Sequence, residues 1–317
     1  MRPARRSSVW WRFLATASAG LQEAARTEAK SRSMARFAPT AALAAFVLVA
    51  AAGPAVSAPP GASVNNPNVP TGKGDAILAV TASGRLEPIA VRIGGSFVTS
   101  APEGETPRDR IRMEAYASIL THQGRVHVIF GRRVVATVNA KIANAVATIG
   151  LPPSVALGRE TEALASPTLG GNARTARTQP TAAQRAAALR LAAEQIGTTP
   201  SRLIVLSLTS LDLGRGTAVV GTVNARGSGS PQGDRSLFFV AEPAASGFAL
   251  SLGTEQTITI GDPVDQVNEY LVDAIDVGNG KVGLVTRLAG YDDHSFVIYT
   301  RAGNRWSPMY VGGSAVH

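Results

Sequence analysis

From Tyr270 to its end the chain is written as short apolar runs cut by turn residues. Tyr270–Val277, Val282–Leu288, Ser295–Thr300 and Trp306–Val311 carry the apolar side chains, and Gly278-Asn279-Gly280, Tyr291-Asp292-Asp293 and Ala302-Gly303-Asn304 separate them. Runs this short, bounded by Gly, Asn and Asp, fit strands joined by tight turns and fall below the length of an amphipathic helix. The same writing appears earlier. Leu203–Leu208 is a nearly continuous apolar run, Leu213–Gly216 a turn, and Thr217–Val223 a strand that pairs back; Ser236–Ala241, Phe248–Leu252 and Thr257–Ile260 follow a flexible loop at Arg226–Asp234. Near the start, Ile77–Val80, Leu86–Ile93, Phe97–Val98, Arg112–Leu120, Arg125–Phe130 and Val134–Ala140 read as a meander of strands, with Val126, Val128 and Phe130 alternating against Arg125 and His127.

Between these halves the pattern changes. Residues 158–180 are polar and read as a loose connector. Thr181 with Gln184 three residues on is a capping box, Ala182–Ile196 is rich in alanine with Leu189, Leu191 and Ile196 apolar, and Gly197 closes the segment, so one helix is expected over 181–196. Alanine supplies helix propensity and little burial, so this helix must pack closely on something. The expected fold is mainly β: two meander-type antiparallel β units, 75–150 and 201–317, joined by a connector at 151–200 that carries one α-helix. Composition agrees. Aliphatic and aromatic residues make up 45% of 317 and charged residues 17%, enough for a core and too few charges for a disordered polyelectrolyte; the 32 Gly and 19 Pro suit turns. With no cysteine, disulfides, thiolate metal sites, Cys nucleophiles and an acylated N-terminal Cys are excluded.

The amino-terminal 74 residues read differently. Met34–Ala58 holds a positive residue, Arg36, then the uncharged run Ala41–Ala52, a Gly53-Pro54 break and small residues to Ala58. That order is the layout of a secretory signal peptide, with cleavage expected after Ser57. Residues 1–33 are expected to be an extension ahead of the true start at Met34, and 59–74 a Pro/Gly/Asn linker. Export without cysteine suits a bacterial periplasm or exterior. The leader also explains much of the +9 net charge: residues 1–58 carry eight Lys/Arg against two acids. Residues 72–235 hold 19 basic and 11 acidic groups, and 236–317 hold 4 and 9. Arg132-Arg133 and Arg108/Arg110/Arg112 are the basic clusters of the folded part. They are expected on solvated loops or strand edges, not as a nucleic-acid stripe.

Candidate chemistry is sparse. Asp292-Asp293-His294 beside Tyr291 is the densest acid–base cluster and the candidate for general acid–base or metal-assisted hydrolysis. His122 and His127 lie five apart without a carboxylate beside them. Motifs of serine hydrolases, zinc proteases and P-loops are absent from the sequence. Trp306, alternating with Pro308 and Tyr310, is expected to anchor the last strand.

One segment has a family likeness. Leu271–Val285 (LVDAIDVGNGKVGLV) places an Asp/Asn/Gly-rich loop between two hydrophobic strands and resembles a single degenerate FG-GAP/VCBS-type repeat of integrin-like β-propellers. The resemblance covers roughly 45 of 317 residues and occurs once. It implies a calcium loop, with Asp273, Asp276 and Asn279 as the candidate metal ligands and calcium as the candidate cofactor, since Ca²⁺ takes six to eight oxygens. The residues alone read as a hairpin with an Asn-Gly turn. The function expected is an exported, non-enzymatic binding or structural protein acting through loops or sheet edges. Its expected partner is another envelope protein, not nucleic acid, and it meets the membrane only through an uncleaved signal. The alternative is a hydrolase-like enzyme using Asp292, Asp293 and His294.

Overall fold

Most of the short apolar runs become strands in the computed structural model, which describes residues 75–93, 96–98, 116–143, 146–151, 153, 155, 157, 162–225, 234–258, 268–290 and 293–316. The protein is mainly β. The leader, the linker and Arg108/Arg110/Arg112 lie outside the described residues.

Three antiparallel sheets form. The first contains β1 (Asp75–Val80), β2 (Arg85–Ile93), β3 (Ser96–Val98), β4 (Arg125–Ile129), β5 (Val134–Asn139), β6 (Lys141–Ala143), β7 (Val146–Thr148) and β8 (Ala163–Ser166), in the order β5-β4-β8-β1-β2-β7-β6 with β3 also on β2. The second is a meander of β9 (Leu203–Asp212), β10 (Thr217–Ala225), β11 (Asp234–Ala244) and β12 (Gly247–Ile258). The third is a meander of β13 (Asn268–Asp276), β14 (Val282–Ala289), β15 (Asp293–Ala302) and β16 (Arg305–Val316).

Three expectations are corrected. Residues 116–123, which take in the end of the expected Arg112–Leu120 strand, are a helix, α1. Tyr116, Ile119 and Leu120 are buried, and their i, i+3, i+4 spacing lays one face of α1 on the first sheet. The expected loose connector contributes β8, a strand buried throughout between β4 and β1: Leu78 pairs with Ala165, and Val128 pairs with the same Ala165 from the other side. Thr257 also belongs to the long strand β12 and does not begin a separate strand.

Packing makes five layers. One face of the first sheet meets α1. Its other face, through Ile77, Ile89, Ile129 and Leu164, packs on Val272, Val285, Phe296 and Ile298 of the third sheet. The opposite face of that third sheet, with Leu284, Val297 and Trp306, packs on Leu211, Val220 and Phe238 of the second. The second sheet's outer face receives α2 (Ala182–Ile196). The third sheet is thus covered on both sides. That is why Phe296, Val297, Ile298 and Tyr299 are all buried in succession, where a strand with one wet face would alternate.

α2 begins at Thr181, whose hydroxyl accepts from the Gln184 amide while the Gln184 side chain accepts from the Thr181 amide. Gly197 ends it at φ 73°, a left-handed conformation that suits glycine. Ala188, Ala192 and Ile196 form its buried row, and the small side chains let the helix lie close on β10 and β11.

Candidate functional site

The β4–β5 hairpin turns through Phe130-Gly131-Arg132-Arg133. The Phe130 amide donates to Arg133 O at 2.9 Å, and both central residues have positive φ, 64° and 54°. This is the two-residue turn whose twist matches a hairpin, and it asks for glycine or asparagine. Arginine in that conformation costs about 1 kcal/mol, so its surroundings must hold it there.

They do. Arg132 is buried, not solvated as the sequence suggests. Its Nε donates to Asp276 Oδ1 at 2.8 Å and its Nη1 to Asp212 O at 3.0 Å; Nη2 donates to Asn172 Oδ1. Its own amide and that of Gly131 donate to the Asp273 carboxylate, at 3.2 and 2.7 Å. One turn of the first sheet therefore holds β13 of the third sheet and the β9–β10 turn of the second. Segment 170–178 threads alongside: Ala173 N–H donates to Arg132 O, Asp276 N–H to Gly170 O, and Thr178 exchanges both backbone hydrogen bonds with Ser210 of β9. A side chain at Gly171 would collide with the Arg132 carbonyl.

The carboxylates at this junction sit in different fields. Burial alone would raise Asp212, but the amides of Arg174 and Gly214 and the charge of Arg132 outweigh it and hold the carboxyl below its ordinary range. Asp273 is fully buried, which pushes it up, against Arg177 and the amides of Ala274, Gly131 and Arg132.

Beside the junction lies a cavity of about 500 Å³. Phe130, Tyr270, Arg177, Ser207 and Thr209 of β9 and Arg185 of α2 are among the residues that line it. Arg177 is fixed: Nη1 donates to Val272 O at 3.0 Å, the guanidinium lies 5.3 Å from the Phe130 ring centroid, and Asp273 is 3.8 Å away. Arg185 is exposed. Among the described residues lining the cavity none is acidic.

β9 is the end strand of its sheet, and among the described residues its outer neighbour is the Thr178–Ser210 bridge. Because Ser210 turns its N–H and C=O to that bridge, Leu208, two residues earlier, turns its own to the same edge. The edge therefore runs into the cavity. By contrast, β13's edge is occupied at Val272 O by Arg177 and at Glu269 O by the Thr222 hydroxyl.

The sequence candidates are dispersed. Asp273 and Asp276 meet at the Arg132 junction, while Asn279 sits on the exposed turn at φ 53°. No group of three or more His, Asp or Glu side chains placed to hold a metal occurs among the described residues. Asp292 lies outside the described residues, and of Asp293 only the backbone, in β15, is described. His294 is buried and its Nε2 pairs with Glu87 of β2. Nearby, Glu162 takes a salt bridge from Arg287 at 2.6 Å; burial raises its carboxyl, with Arg287 opposing and Glu87 adding. His122 is exposed on α1, whereas His127 Nδ1 lies 3.0 Å from the Thr137 hydroxyl of β5, so the two do not share a hairpin. Trp306 is buried between the second and third sheets, with the Arg301 guanidinium 4.6 Å from its ring centroid.

A second buried polar group went unread in the sequence. Glu269 of β13 is 1% exposed; its Oε1 accepts from the Thr286 hydroxyl at 2.6 Å and the Tyr299 hydroxyl at 2.8 Å, and its Oε2 has no hydrogen-bond partner among the described residues. Burial pushes this carboxyl up to about 7, and Tyr299 upward as well.

The chain matches no family model, no curated protein and no solved structure.

Proposed function

We propose that this is a non-enzymatic binding protein, exported to a bacterial periplasm or exterior, that takes up an extended polypeptide segment of another envelope protein along the edge of β9. The export part rests on the apolar run Ala41–Ala52 and the small residues after it. The binding part rests on one observation: among the described residues, the backbone edge of β9 opens into a cavity instead of being capped along its length. A strand entering there would gain main-chain hydrogen bonds from the edge and side-chain contacts from Phe130 and Tyr270. The cavity is already shaped, since Arg177 is held by Val272 O and the Phe130 ring, so little ordering opposes binding.

The test is fluorescence anisotropy of a labelled eight-residue peptide of alternating valine and threonine with the full chain. Ser207→Tyr, which adds bulk to the cavity lining, is expected to abolish binding while leaving the circular-dichroism spectrum unchanged. Absence of binding to the unaltered chain, or equal binding by this variant, contradicts the reading.

A hydrolase-like enzyme is the second reading. It draws on His294, which is paired with Glu87 close to Glu162 and Arg287. It requires that His294→Gln lose a hydrolytic activity without losing the fold.

A further inference from the structure

We infer that the β9 cavity selects an extended segment carrying acidic side chains, with a carboxylate set against Arg185. This rests on the strand-edge reading above and adds the chemistry of the occupant. Two guanidinium groups face the cavity and no acid among the described residues lines it. They are not equivalent. Arg177 is half-buried, spends Nη1 on Val272 O and has Asp273 3.8 Å away, so much of its charge is met within the protein. Arg185 stands exposed on the first turns of α2 and lines the same cavity as residues 205–209 of β9. A strand paired to the edge of β9 projects alternate side chains to one face. The face it shares with Leu208 is the one on which α2 packs and Arg185 stands, while the face it shares with Ser207 and Thr209 turns toward the third sheet and Arg177. A Glu or Asp on the α2 face reaches Arg185 for a charge-assisted hydrogen bond, which is stronger than one between neutral groups. A basic side chain in the same place would face the Arg185 guanidinium, with no acid among the described residues lining the cavity to offset it.

A phosphate or other small anion would use the arginines without the strand edge, and this separates a polypeptide ligand from a simple anion. The experiment uses the full chain and three probes: the alternating valine–threonine peptide with two threonines replaced by glutamate, its glutamine twin, and inorganic polyphosphate. The glutamate peptide is expected to bind about tenfold tighter than its twin. That gap should narrow as salt rises. Arg185→Glu, an exposed substitution, should reverse the preference between the two peptides. Equal affinity of the two peptides, with Ser207→Tyr still blocking both, overturns the acidic selection and leaves the strand-edge reading standing. Failure of all peptides to bind removes both. Polyphosphate binding that survives Ser207→Tyr, or a glutamate preference that survives Arg185→Glu, also overturns the inference.

Discussion

Arg132 is the residue on which the three sheets depend. Its guanidinium satisfies Asp276, Asp212 O and Asn172 while its backbone amide serves Asp273. Removing one partner of such a buried network leaves carboxylates without their counter-charge, a loss of roughly 3 kcal/mol or more. Arg132→Gly separates this from backbone strain: glycine relieves the positive φ, yet the variant should still melt well below the parent in a thermal scan. A variant as stable as the parent would show that the junction is ornamental. The same junction governs the calcium expectation. Asp273 and Asp276 already have cationic or amide partners supplied by the chain, so thermal melts with added calcium and with chelator should superimpose; a shift between them would show that the loop takes the ion. None of this was readable from Gly131-Arg132-Arg133 alone. A basic pair after glycine reads as a wet turn, and the acceptors lie 40 to 144 residues away in sequence.

Elements whose signals are local were legible, and those decided by tertiary cover were not. β13 to β16 could be read because glycine and asparagine turns bound them, and α2 because Thr181, Gln184 and Gly197 mark both its ends. α1 was hidden because its helical spacing of Tyr116, Ile119 and Leu120 is too short to outweigh the strand pattern around it. β8 is Ala-Leu-Ala-Ser, with little apolar bulk to announce a buried strand. On β13, Glu269 gives a pH signature. Its carboxyl is raised to about 7 in the folded chain, so between the unfolded value near 4.5 and pH 7 the folded state holds more protons than the unfolded. Stability is therefore greatest below pH 4.5 as far as this group acts, and falls by roughly 3 kcal/mol as pH rises to 7. Denaturant titrations of Glu269→Gln should lack that fall. An unchanged slope in the variant would assign the pH dependence elsewhere. For the site itself, the edge of β9 could be expected in kind, since sheet edges were the expected route of recognition, but not in place. Which edge remains open depends on where segment 170–178 lies, and no pattern in that segment shows it.

At the scale of the whole molecule, the third sheet is a shared core. Phe296 and Ile298 serve its contact with the first sheet, and Val297 and Trp306 its contact with the second. Phe296→Ala should cost about 3–5 kcal/mol. Because both neighbours lean on this sheet, the loss should appear as one lowered transition by circular dichroism and by tryptophan fluorescence alike. Two separated transitions would mean that the sheets fold independently. Recognition is assigned to a border of this stack, where the second sheet ends at β9. Hydrogen exchange of the full chain with and without the glutamate peptide tests that assignment most directly, because the Leu208 amide points at the proposed ligand. The account predicts that Leu208 exchange slows on binding while amides of β16 keep their rates; a Leu208 amide indifferent to saturating peptide, or protection centred on another edge, would contradict it.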